Sequence, residues 1–316
     1  TLQNRIIEQF DMDNIINTIF PEPPYDFDLT VGYHTYYRTQ YGTDCWVDGE
    51  YRRLLDIGNK LLLASVRSIG TVESPELELT LEGTALTSTD VGQAKSQIEW
   101  ILGTSQNLNQ FYESIVHDHP LNNFGKIFYG LHLPHTQSSY EALILAVLGQ
   151  QISTNVAHLI RTLMIEKYGS TARYRGMDYY SFPKPVHLAE ASLEDLRLLK
   201  MSYRKAEYIH GISRIISEQP NLLEFGSRKD DQEIVTEITK LRGVGRWTAQ
   251  WLLIRGLGRM DAFPIGDLAL SQMVSKLYFG GTPVTENEIE RFSKHWSPWR
   301  TYATIYLFAA YRQGLI

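Results

Sequence analysis

Hydrophobic positions change their period twice along this chain. Residues 1 to about 20 place Ile6, Ile7, Phe10, Ile15, Ile16 and Ile19 at near-helical intervals before the breaker Pro21-Glu-Pro-Pro24, which predicts a leading amphipathic helix. From about 28 to 82, β-branched and aromatic stretches take over. Lys60 to Val66 and the alternating Leu77-Glu-Leu-Thr-Leu81 read as strands of one antiparallel sheet. Beyond Gly92 the strand signal stops and helical spacing returns, with Ile98, Ile101, Leu102, Leu108, Phe111, Tyr112, Ile115 and Val116 as candidate buried positions. Ser192-Leu-Glu-Asp195 marks a helix start, with Asp standing where a capping box usually has Glu or Gln. The pattern predicts an α+β chain: an amino-terminal domain over 1–105 with an antiparallel β-sheet and helices, then an all-α region over 106–316.

A length of 316 residues supports more than one domain, and 43% hydrophobic with 21% charged residues is an ordinary globular composition. The longest apolar runs, such as Ala142 to Leu148, are far short of the roughly 20 residues that cross a bilayer. The polar start Thr1-Leu-Gln-Asn-Arg5 has no signal-peptide layout, so a soluble cytoplasmic protein without membrane contact is expected. A single cysteine, Cys45, excludes an intramolecular disulfide and a four-cysteine iron–sulfur cluster. His117 and His119 do not have zinc-ligand spacing. A net charge of −6 argues against a broadly basic nucleic-acid binder, and cations only slightly outnumber acids between Ser202 and Gly258. Any DNA contact must therefore be local.

One segment has the build for such a contact. Gln232 to Lys240 carries a helical apolar pattern, and a second helical run includes Trp251-Leu-Leu-Ile-Arg255, with Leu241-Arg-Gly-Val-Gly-Arg-Trp-Thr-Ala-Gln250 between them. Gly243 and Gly245 allow a sharp turn and a close backbone approach, and the start of the second helix offers N–H groups and a positive dipole end to an anion. A DNA phosphate is such an anion, with the Thr248 hydroxyl as a further donor. The same Gly-x-Gly also serves simply to end one helix and begin another. Asp267, in Phe263-Pro-Ile-Gly-Asp-Leu-Ala-Leu270 ahead of an apolar helical run, reads on its own as an N-cap.

Taken together, these residues resemble the helix-hairpin-helix DNA glycosylase superfamily, whose hairpin reads Leu-Pro-Gly-(Ile/Val)-Gly-x-x-Thr-Ala and is followed downstream by an invariant Asp. Leu241 to Ala249 and Asp267 occupy those positions. The similarity is to the 3-methyladenine DNA glycosylase II branch. It runs through Pro23-Pro-Tyr-Asp26, Leu131-His-Leu-Pro134, Ile144-Leu-Ala-Val-Leu-Gly-Gln-Gln-Ile-Ser153, Phe182-Pro-Lys-Pro185, Met201-Ser-Tyr-Arg-Lys-Ala-Glu207 and Trp296-Ser-Pro-Trp-Arg-Thr-Tyr-Ala303. Coverage is nearly continuous over 120–312 and thinner before it. Arg242 stands where the family has a hairpin proline, Leu268 replaces a tyrosine, and residues 1–20 and parts of 155–181 are additions.

The resemblance implies an all-α helix-hairpin-helix glycosylase domain with its cleft between helical subdomains. Asp267 is expected to stabilise the oxocarbenium-like sugar as the N-glycosidic bond breaks, and to orient or deprotonate the attacking water. Bifunctional relatives carry a hairpin lysine that forms a Schiff base; Trp247 stands there, which implies simple hydrolysis to an abasic site. Trp247 and Trp251, one helical turn apart, and Phe308, at the family's base-stacking position, are the implied pocket for a cationic alkylated purine, although such an aromatic pair also suits a core. Arg242, Gly243, Gly245, Arg246 and Thr248 are the implied DNA contacts. Gln151 is the implied wedge filling the hole left by a flipped base, and as a helix-terminal glutamine it also fits a purely structural role. Trp296, Trp299 and Arg300 are expected to pack the last helices. Backbone carbonyls of Thr239, Leu241 and Val244 would ligate a structural Na+ or K+, and no cofactor is required. The expected partner is double-stranded DNA with alkylated bases, met by a monomer. A non-catalytic damaged-DNA binding protein and a glycosylase for oxidised or deaminated bases remain the alternatives.

Overall fold

The computed structural model describes residues 12–226 and 229–316. Its amino-terminal part is a six-stranded antiparallel sheet of β1 (Met12–Ile19), β2 (Gln40–Tyr41), β3 (Asp44–Val47), β4 (Glu50–Ile57), β5 (Lys60–Ser68) and β6 (Leu77–Thr84), in the order β1-β6-β5-β4-β3-β2. Helix α1 (Phe27–Thr35) lies between β1 and β2 in the chain, and α2 (Ser88–Ile101) packs on the sheet, started by a full capping box between Thr87 and Asp90. Leu55, Leu62, Leu77, Leu79, Ile98 and Ile101 share the core between them.

The leading helix expected from the isoleucine spacing is not found in the described part of that segment. Met12–Ile19 is a strand, paired with β6 so that Ile15 faces Leu81 and Ile19 faces Leu77. Isoleucines at positions 15, 16 and 19 fit a helical turn, but β-branched side chains also suit a pleated surface, and pairing with β6 decides between the two. Ile19 is buried while Ile16 points to solvent. Ile6, Ile7 and Phe10 lie outside the described residues.

The helical part comprises α3 (Asn109–Ser114), α4 (His119–Ile127), α5 (Ser139–Gly149), α6 (Thr154–Tyr168), α7 (Pro185–Ala189), α8 (Leu193–Arg197) and α9 (Tyr203–Glu218), then α10 (Asp231–Ile238), α11 (Arg246–Leu257), α12 (Leu268–Tyr278), α13 (Glu286–Ser293) and α14 (Arg300–Arg312). Ser192 caps α8 and exchanges bonds with Asp195, as its sequence indicates. Central α5 is buried nearly all round and packs along α11, where Gly256 permits contact: a Cβ there would lie 2.9 Å from that of Ala142. Ile98, Ile101, Leu102, Leu108, Phe111 and Ile115 are buried as expected, whereas Val116 is 53% exposed, beyond the end of short α3. Among the described residues no helix is long and apolar enough to cross a membrane.

The helical part is not purely helical. A hairpin of β7 (Thr171–Tyr174) and β8 (Met177–Tyr180) lies within the region read as an addition. Arg175 and Gly176 form its two-residue turn, both at positive φ (49° and 80°), the geometry that matches strand twist. Arginine is an unusual first turn residue, which hid the signal. Its guanidinium ties the turn to Glu50 and Glu82 of the large sheet.

Candidate active site

Thr239–Gly245 joins α10 to α11. Gly243 sits at φ 92°, and a Cβ there would collide with the Tyr208 ring of α9, so both conformation and packing demand glycine. Gly245 is the N-cap of α11 and supplies no side-chain cap; a Cβ on it would meet nothing within 4 Å. The N–H groups of the first turn thus lack a side-chain acceptor, and the approach over them is open. Arg242 and Arg246 flank this opening, exposed and paired with Glu207 (3.4 Å) and Glu290 (2.7 Å). Surface pairs of this kind contribute little and exchange readily for another anion. The Val244 N–H donates to the Leu241 carbonyl at 3.0 Å, which leaves that oxygen a second lone pair.

Thr248 departs from its expected role. It is 1% exposed, and its Oγ1 accepts from Gln150 Nε2 at 2.8 Å, so burial beneath the hairpin removes it from any phosphate-facing set. Gln150, overlooked in favour of its neighbour, also donates to the Gly243 carbonyl at 2.8 Å and so fastens the hairpin to the end of α5. Gln151 follows, exposed and at φ 54°, a conformation that costs a non-glycine residue energy and is concentrated at functional sites. Gly243→Ala should therefore cost about 1–3 kcal/mol of stability through backbone strain alone. It should also weaken duplex binding irrespective of sequence, as melting and filter-binding measurements would show.

Asp267 enters from the turn Pro264-Ile-Gly-Asp267, closed by the Asp267 N–H donating to the Pro264 carbonyl at 3.1 Å, with Gly266 at φ 83°. Two anchors hold this loop: Gln250 Oε1 accepts from the Phe263 N–H (2.8 Å), and Arg300 makes a bidentate pair with Asp261. The carboxylate does cap α12, its Oδ1 accepting from Leu270 N–H at 3.0 Å, but Oδ2 accepts from the Trp247 indole at 2.9 Å. Two donors from different elements fix its plane, and it stays half-exposed.

Trp247 leads to an aromatic run. Its ring meets Trp251 edge-on at 6.3 Å, and Trp251 meets Phe308 at 5.7 Å. Trp251 and Phe308 are largely buried and belong to the helical core. Trp296 and Trp299 are buried among the last helices, and Trp296 Nε1 donates to Asp118 at 2.8 Å. Leu268, where the resemblance has a tyrosine, is 79% exposed beside the carboxylate.

Three residues at this site went unnoticed in the sequence: Tyr36, Arg255 and Arg312. Tyr36 ends α1 in the left-handed region (φ 56°). Arg255 lies 5.2 Å from the Trp251 ring and donates to the Tyr36 hydroxyl at 3.3 Å, while Arg312 lies 3.6 Å from the Tyr36 ring centroid. Burial opposes ionisation of that hydroxyl, but the guanidiniums of Arg312 and Arg255 outweigh it and bring it down to about 7. Trp251 and Arg255 on α11, and Phe308 and Arg312 on α14, repeat one spacing of aromatic and arginine four residues apart. A cavity of about 570 Å³ lined by Trp100, His135 and Trp299 contains none of these residues.

A glycine-turned helical hairpin, a carboxylate fixed downstream of it and an aromatic run leading from it define a helix-hairpin-helix DNA glycosylase. The chain belongs to the HhH-GPD superfamily of base excision DNA repair proteins, whose family model matches residues 144–298. It is 33% identical over 210 residues to a DNA-3-methyladenine glycosylase of Bacillus subtilis, covering 66% of this chain and 69% of that one. DNA-3-methyladenine glycosylase 2 of Escherichia coli is 25% identical, with 93% and 96% covered. A solved structure of 3-methyladenine DNA-glycosylase from Archaeoglobus fulgidus superposes with a TM-score of 0.81 at 24% identity, covering 94% of this chain and 98% of that one, which shows the shared fold.

Proposed function

We propose that this glycosylase hydrolyses the N-glycosidic bond of alkylated purines, of the 3-methyladenine and 7-methylguanine type, in duplex DNA and leaves an abasic site with both strands intact. The carrying observation is the Asp267 carboxylate, fixed by the Trp247 indole at the start of the aromatic run. Positive charge grows on the deoxyribose as the bond to the base lengthens, and a fixed carboxylate stabilises it without reorganising. The same group orients the water that attacks C1′. Trp247 occupies the hairpin position at which a lysine would form a Schiff base, so chemistry passes through water alone.

Recognition follows the same geometry. The uncapped start of α11 and the arginines on either side take DNA phosphates without reading sequence. Gln151, strained and exposed at the end of α5, fills the space left by the flipped nucleotide. The carbonyls of Thr239, Leu241 and Val244 would hold a structural Na+ or K+ that stiffens the hairpin; no other cofactor takes part. The chain acts as a monomer on DNA in the cytoplasm. Free base released from methylated duplex DNA, with unbroken strands on a denaturing gel, tests this reading. Borohydride added during the reaction should trap no protein–DNA adduct, and a trapped adduct would overturn the strand-preserving mechanism.

A further inference from the structure

Beyond the carboxylate and the stacking rings, Arg255 and Arg312 form a positive wall around Tyr36. Among the described residues neither Arg255 nor Arg312, both part-buried, pairs with a carboxylate, whereas the buried arginines do, Arg53 with Asp44 and Glu141 and Arg161 with Asp44. Arg255 gives one bond to Tyr36, and Arg312 gives one to the Tyr33 carbonyl at 2.9 Å. Each guanidinium has five N–H donors, so most of this capacity is unspent. Their combined potential lowers the Tyr36 hydroxyl to about 7 against the effect of burial. Beyond the Tyr36 oxygen and the Tyr33 carbonyl, the wall therefore has donors to spare. It lies against Trp251 and Phe308, where the arginines sit 5.2 Å and 5.9 Å from the respective rings.

We propose that Arg255 and Arg312, with Tyr36 between them, determine specificity by reading position 6 of the flipped purine and favour an oxygen there over an amine. A guanidinium is the commonest side-chain partner of guanine O6. In an N-methylated guanine N7 or N3 carries the methyl group, and O6 remains as an acceptor for this wall. The corresponding adenine presents its N6 amine, so donor meets donor. The carbonyl dipole also offsets the two positive charges, which would otherwise oppose a cationic base. Methylated guanines, and hypoxanthine with the same O6, are then preferred over 3-methyladenine. This inference rests on the alkylated-purine reading and narrows it.

Methylated duplex DNA provides the test, because 3-methylguanine and 3-methyladenine carry the same methyl position and are released in the same tube. Their ratio is independent of how much enzyme is folded. Wild-type chain should release 3-methylguanine faster, and Arg312→Met or Arg255→Met should lower the 3-methylguanine to 3-methyladenine ratio by roughly tenfold, the smaller end of what one well-placed arginine–base contact is worth. Arg312→Lys keeps the charge but loses the planar fork, and should lower the same ratio in a chain whose melting is little changed. Tyr36→Phe, which keeps the ring, should shift it less. An unchanged ratio in all variants overturns the inference and leaves the alkylated-purine reading standing. No release of any methylated base by the wild-type chain overturns both, unless hypoxanthine is excised from an inosine duplex, in which case position-6 reading survives and alkylation specificity falls.

Discussion

Replacing Asp267 with asparagine should cut the single-turnover rate of base release by at least roughly a hundredfold, the scale of removing one preorganised electrostatic contact from a transition state. The substitution separates the two duties of this residue. Asparagine is nearly as good an N-cap as aspartate, so the Leu270 N–H keeps an acceptor and α12 keeps its start. The charge proposed to face the sugar is lost. A further consequence follows at Trp247, whose indole donates to the second carboxylate oxygen. An amide has one carbonyl oxygen, so serving Leu270 sets its NH2 against the indole N–H. Leaving a part-buried donor unsatisfied costs about 1–3 kcal/mol, so a moderate fall in melting temperature should accompany the loss of activity. Enzyme-excess kinetics on methylated duplex, alongside thermal melting, would check both effects. A variant that keeps its rate within a factor of a few would show that Asp267 is only a helix cap.

The hairpin and the carboxylate were legible because their chemistry is local. Gly243 at φ 92° and Gly266 at φ 83° are positions where the backbone alone asks for glycine, and each lies within a few residues of what it positions. The alternation of β6 is local in the same sense. β1 was not, because its isoleucines suit either period and its partners in β6 lie 58 to 72 residues away. Thr248 was misread for a related reason. Its place on a helical turn suggested a phosphate contact, while burial against Gln150 is set by α5 from across the fold. The positive wall was hidden most completely. Tyr36 and Arg255 are 219 residues apart, and only the packing of the end of α1 against α11 and α14 makes one surface of them. Arg53 carries no local signal of burial, yet it is fully buried, because its acids Asp44 and Glu141 come from two other elements.

Arg53→Met should therefore be the most destabilising single change in the chain, costing about 3–5 kcal/mol as expected when one member of a buried ion cluster is removed. Arg53 bridges Asp44 of β3 (2.7 Å) and Glu141 of α5 (2.7 Å), and Arg161 of α6 reaches Asp44 at 3.2 Å. Burial would raise the Asp44 carboxyl, but Arg53 first, and then His34 and Arg161, hold it well below the usual carboxylate range. A carboxyl depressed in the folded state contributes stability above its unfolded value of about 4 and loses it as pH falls through the folded one, so the cluster resists acid down to low pH. Methionine at position 53 removes the largest cation, raises the Asp44 carboxyl and should move acid unfolding to higher pH. Urea titrations at neutral and acidic pH would measure both changes. A cost below about 1 kcal/mol would mean that Arg161 alone satisfies both acids. Replacing Asp44, Arg53 and Glu141 together by apolar residues of similar volume should recover much of the loss, since the cost lies in orphaned charge rather than in missing attraction. The cluster also bears on the site. Glu141 lies on α5, whose far end presents Gln150 and Gln151, and Arg161 stacks 4.5 Å from Tyr41, which stacks 4.5 Å from Tyr36. Loosening the sheet from the helices should thus reach the hairpin clamp through one helix and the positive wall through a pair of stacked rings.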